Sequence, residues 1–186
     1  MKKISHLTLI LTTLLAIVYV NLYAWQNQQI KLHGEILFLE LAPVDPLSLV
    51  QGQYMILRFG IEKEYDATQE DQHIIENSRG NVLAIINLDN RRIGTLTGLK
   101  AIDQWQQQPN PNDTLLLQVH AWHTNSDESY TIQIQQNSFL FQENTEDRYT
   151  EAKYGMFRVQ ENGQYVLTDL ADKHLRPLTA KSWNIR

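Results

Sequence analysis

Hydrophobic positions are distributed along this chain in two different ways. From Ile4 to Trp25 (ISHLTLILTTLLAIVYVNLYAW) they form one run without a charged residue. As a helix this run would extend about 33 Å, enough to cross a hydrocarbon core. Ser5, Thr8, Thr12 and Thr13 can bond back to helix carbonyls, so they are compatible with a bilayer. Tyr19, Tyr23 and Trp25 gather at the far end, as an interfacial aromatic belt does. His6 and Asn21 lie near the ends of the span, at headgroup depth. After Trp25 the pattern changes to short segments of alternating or fully apolar residues separated by turn-forming clusters.

Gln26 to Lys31 reads as a polar joint, and Ile30 to Leu41 (IKLHGEILFLEL) as a strand that becomes buried on both faces. Ala42 to Ser48 is a loop with two prolines. Tyr54 to Ile61 reads as a strand with Met55, Leu57, Phe59 and Ile61 on one face and Tyr54, Ile56 and Arg58 on the other. Glu62 to Gly80 reads as an exposed excursion with a helical turn near Gln69 to Glu76. Val82 to Leu88 and Ile93 to Ile102 follow as strands.

Leu115 to Thr124 and Ser129 to Phe141 predict a hairpin. Its second arm changes phase: Tyr130, Ile132 and Ile134 share one parity, Phe139 and Phe141 the other. A bulge or bend at Gln135 to Asn137 reconciles them. Asn144 to Lys153 reads as a short helix capped by Asn144 or Thr145. Strands at Tyr154 to Gln160 and Gln164 to Leu170 turn across Glu161-Asn162-Gly163. The expected fold is mainly β: a transmembrane helix (residues 1–25 with its tip), then one antiparallel β-sandwich or barrel-like domain over 26–186 with one or two short helices.

Composition narrows the function. Without Lys2 and Lys3 the net charge goes from −5 to −7, which disfavours nucleic acid and anionic lipid as partners of the domain. The chain has no cysteine, which excludes disulfides, thiolate nucleophiles and cysteine-ligated metals. Lys2 and Lys3 before the apolar run predict a cytoplasmic N-terminus with the remainder carried across. A cleaved signal peptide is the rival. Its best site, Leu22-Tyr23-Ala24, puts a bulky residue where a small one is wanted, so an uncleaved signal-anchor is expected.

Pro43 to Ile61 (PVDPLSLVQGQYMILRFGI) resembles the GDYXXLXY family, with Gly52, Gln53, Tyr54, Leu57 and Phe59 at the motif positions. Gln53 replaces the motif Asp and Phe59 the last Tyr. The stretch FLFQENTEDRYTEAKYGMFRVQENGQYVLTDL is similar to the family's C-terminal part, including Glu143 and Tyr154-Gly155. The resemblance implies a single-pass protein of the bacterial inner membrane with a periplasmic domain. It also implies a multi-pass membrane protein as partner, and no known reaction.

The residues singled out as a functional patch are Asp45, Gly52, Tyr54, Arg58, Glu143 and Tyr154. Tyr54 and Arg58 share a strand face, and Asp45-Pro46 favours a tight turn. Glu143 closes an aromatic strand and could pair with Asp45 or Arg58. The leading expectation is an accessory, protein-binding domain without cofactor or metal. Two alternatives are a carboxylate-dependent enzyme using Glu143 and Asp45 within roughly 10 Å, and a β-barrel binding a small ligand in an enclosed cavity. His120 and His123, three apart on a strand, point to opposite faces, so they make a poor metal pair.

Overall fold

The computed structural model describes residues 2–42, 50–51, 54–62, 64–106, 113–124, 129–143 and 145–179. Helix α1 runs Lys2–His33. Thr12 and Thr13 donate to the carbonyls of Thr8 and Leu9, and Asn21 donates to Ile17 at 2.8 Å, so these polar groups are satisfied within the helix. The helix passes through the stretch expected to be a joint. Ile30, expected to open a strand, is instead a helical residue only 4% exposed. The helix continues because it has a surface to pack on, and the polar residues at 26–29 lie around the buried Ile30. It stops at Gly34, whose N–H bonds to Ile30 O at 2.9 Å and whose carbonyl accepts from Arg158 Nη1 at 3.0 Å.

Strand β1 (Glu35–Glu40) follows at once. It pairs antiparallel with β10 (Tyr154–Val159), which pairs with β11 (Tyr165–Ala171). A second sheet has the order β4-β8-β7-β5-β6, from β4 (Glu64–Tyr65), β5 (Asn81–Leu88), β6 (Gly94–Ala101), β7 (Thr114–His123) and β8 (Tyr130–Gln133). A third is β2 (Val50–Gln51), β3 (Tyr54–Ile56) and β9 (Ser138–Leu140). Bridges from Phe38 to Ile93 and from Leu41 to Phe59 join the sheets into a half-barrel.

The phase change at 135–137 is a corner at which the chain leaves the five-stranded sheet as β8 and enters the small sheet as β9. Beyond the end of β8, the β10–β11 turn takes its place beside β7: Gln118 N donates to Gly163 O at 2.9 Å. Gly163 has φ +82°, and a Cβ there would lie 2.7 Å from Leu83. Phe59, Phe157, Leu37, Leu39, Ile132, Ile134 and Leu170 fill the space between the sheets.

Two further expectations change. The 62–80 stretch carries the expected helical turn, as α2 (Gln69–Asn77), but it is anchored to the domain and is not wholly an exposed excursion. Its β4 pairs with β8, and α2 buries Asp71 and Ile75. Thr68 caps α2 through a reciprocal capping box with Asp71. In the 144–153 stretch, the expected helix is a single 3-10 turn, Glu146–Tyr149. Thr145 Oγ1 donates back to Gln142 O instead of capping it. The turn serves to place Tyr149 edge-on to Phe139 in the core, with ring centroids 5.3 Å apart.

Candidate functional site

The segment that carries the family-like motif, expected as a strand over Tyr54 to Ile61 but a ladder strand only over Tyr54–Ile56, is divided between core and surface. Leu57 and Phe59 turn inward and are buried. Phe59 meets Phe157 edge-on at 5.2 Å. A Cβ on Gly155 would lie 2.6 Å from the Phe59 ring, so the glycine of Tyr154-Gly155 makes room for the end of the motif. The two blocks of the resemblance therefore meet in one packing contact.

The outward residues form a different surface. Tyr54 faces Leu140 across the β3–β9 ladder, and Ile56 faces Ser138. Leu140 is 75% exposed, and Tyr54 and Ile56 are each 41% exposed. Arg58 also turns outward, one step beyond Ile56. An apolar face with a cation at its end is thus presented to solvent by two short strands.

What holds β3 in place lies one turn further on. Glu62 Oε2 accepts from Phe59 N at 2.8 Å, and Oε1 accepts from Ile134 N at 2.9 Å. One carboxylate therefore ties the end of the motif to the 134–137 corner. Burial raises the Glu62 pKa above the ordinary 4.5, against the two backbone donors and Arg58, which pull it down. Tyr165 Oη and Gln136 Oε1 fix the same corner to β11, accepting from Gln135 N at 2.9 Å and Leu167 N at 2.7 Å. Nothing local in the sequence marks Glu62, because its second partner is 72 residues away.

The described members of the patch, Tyr54, Arg58, Glu143 and Tyr154, do not form one cluster. The β3–β9 register places Arg58 beyond one end of the ladder and Glu143 beyond the other. Among the described residues no ion pair joins Glu143 to Arg58. Glu143 is exposed and makes no ion pair among the described residues. Tyr154 is half-buried on β10, opposite Glu40 and Ala171, in a different sheet from Tyr54. Asp45 and Gly52 lie outside the described residues, and with Asp45 so does the proposed carboxylate pair. His120 stacks near Trp122 and His123 against Tyr130, on separate neighbours.

Two crevices flank the junction of α1 with the domain. One is an open groove of about 740 Å³ bordered by His33, Glu35, Trp105, Glu161 and Asn162. The other, about 150 Å³, lies between α1 and the edge where the β10–β11 hairpin meets β7. Among known proteins, the family model described as GDYXXLXY protein matches residues 16–170. Comparison with curated proteins and with solved structures gave no match.

Proposed function

Since the chain belongs to the GDYXXLXY family, we propose that it is a membrane-tethered accessory domain that binds the extracytoplasmic part of a multi-pass membrane protein. The observation that carries this reading is the exposed apolar face of Tyr54, Ile56 and Leu140. Contiguous apolar surface with a polar rim marks interaction sites on soluble domains. Here it is built on the strand that bears the family motif.

The tether is supported by α1. It contains a stretch, Thr8–His33, long and apolar enough to cross a membrane. Its aliphatic side chains between Leu9 and Leu22 stand about half to two-thirds uncovered by protein. Transferring such a side chain from water to an apolar medium is worth about 1.5–3 kcal/mol, so a bilayer is its natural surrounding. Lys2 and Lys3 then favour a cytoplasmic N-terminus and an acidic domain on the periplasmic side of a bacterial inner membrane.

The test is photocrosslinking in native membranes from a probe at Ile56 or Leu140, with exposed Lys173 as the control position. A reproducible adduct with one membrane protein from both test positions, and none from the control, is expected. Absence of any adduct at 56 and 140 would overturn the reading.

A further inference from the structure

The smaller crevice has a composition that its structural role does not require. On α1, Tyr23, Gln26, Asn27 and Ile30 fall on one helical face, spaced i, i+3, i+4 and i+7, and line one wall of it. Opposite them stand Gln118, Gln135, Gln136, Gln164 and Tyr165. Among the described residues no charged side chain lines it. Three of the lining groups have structural work: Gln118 Nε2 donates to Asn162 O at 3.2 Å, Gln136 Oε1 accepts from Leu167 N, and Tyr165 Oη accepts from Gln135 N. The side-chain amides of Gln26, Asn27, Gln135 and Gln164 make no hydrogen bond to the described protein. A small recess is therefore surrounded by uncommitted donor and acceptor pairs.

Position and charge narrow what it can take. Tyr23 and Trp25 mark the interfacial end of the apolar run, so the crevice opens at headgroup depth. It offers no cation for a phosphate, and the acidic domain repels anions. Planar amides that both donate and accept suit hydroxyl groups, which do the same. A cavity near 150 Å³ holds about one six-membered ring.

We propose that this crevice binds the neutral, polyhydroxylated ring of a glycolipid headgroup, with the lipid tail remaining in the bilayer beside α1. The proposal rests on the tethered reading above. It adds a lipid ligand at the joint, on a surface distinct from the apolar face of β3 and β9.

Full-length protein in nanodiscs of phosphatidylethanolamine containing monoglucosyl-diacylglycerol provides the test, read by native mass spectrometry of retained lipid. Co-elution of the protein with the disc reports the tether separately. The expected result is at least ten-fold preferential retention of the glycolipid. The Gln135→Ala/Gln164→Ala double variant should lose it, and Gln133→Ala, on exposed β8 surface outside the crevice, should not. The double variant should fold normally, because neither side chain bonds to the protein, and near-ultraviolet circular dichroism checks this. Equal retention of both lipids, or unchanged retention by the folded double variant, would overturn the proposal. So would saturable binding of free methyl glucoside without glycolipid retention, which would identify a soluble sugar as the ligand.

Discussion

A single methyl group added at Gly34 should separate the anchor from the domain. A Cβ there would lie 2.6 Å from Ile30 O, 2.9 Å from Val159 N and 3.1 Å from Arg158 C. All three are backbone atoms, so no flexible side chain can yield, and the end of α1 must move off β10. That movement withdraws Ile30 from its buried site and breaks the Arg158 Nη1 to Gly34 O bond. Exposing an isoleucine is worth about 1.5–3 kcal/mol, and losing a hydrogen bond from a charged donor about 1.5–3 kcal/mol. Water recovers part of the second loss. A net cost of about 3 kcal/mol shifts the docked population on the order of 100-fold. The absence of native cysteine allows spin labels at Gln28→Cys and Lys173→Cys, both exposed positions, in full-length protein in nanodiscs. The parent should give a narrow distance distribution by pulsed electron spin resonance, and Gly34→Ala a broad one with the domain still folded. An equally narrow, unshifted distribution in Gly34→Ala would refute the docked joint.

Three other outcomes follow from the polar nodes. Glu62→Ala removes the shared acceptor of Phe59 N and Ile134 N and should cost about 2–4 kcal/mol in urea unfolding of the full chain. Because the Glu62 pKa is raised, its titration favours folding below pH 4.5, and that contribution is lost as pH rises through the folded value. The penalty of Glu62→Ala should therefore be smaller at pH 7 than at pH 4. Burial and the bond to Asp71 push the Tyr65 hydroxyl up to about 12, so its contribution is present below pH 10 and lost as pH rises through 12. Ultraviolet titration should show late-titrating phenols, one of which Asp71→Asn moves earlier while Tyr149 and Tyr165 stay late. Asp172 accepts from the Arg176 backbone N–H, from the Arg176 guanidinium and from His174 N, which hold its carboxyl at about 2. Its contribution is present above 3.8 and lost as pH falls toward 2. Carboxyl NMR should show this low value rising in Arg176→Ala.

Periodicity alone exposed much of the fold. The parity of Tyr54 to Ile61 separated the buried Leu57 and Phe59 from the outward Tyr54, Ile56 and Arg58. The change of phase near 135–137 located the corner, though not that the two arms serve different sheets. The helix end was misread because IKLHGEILFLEL contains a helix C-terminus and a strand in immediate succession, with only Gly34 between them. Its glycine was the available signal, since glycine commonly ends helices. Thr68-x-x-Asp71 is likewise a readable capping signature for the helical turn near Gln69 to Glu76. Glu62 and the amide crevice had no such marker. Each is assembled from residues distant in sequence, and only the curl of the sheets brings them together. The motif residues proved to be partly packing residues: Phe59 and Gly155 explain each other, while Tyr54 is on the surface.

The tether, the docked joint and the headgroup site all depend on α1 staying attached to the domain. The intact mass of the protein extracted from membranes tests this most directly. The expected species still contains the apolar run Ile4 to Trp25 and resists alkaline carbonate extraction. A mature species beginning after Ala24, released from the membrane by carbonate, would contradict the tether, the docked joint and the headgroup site together.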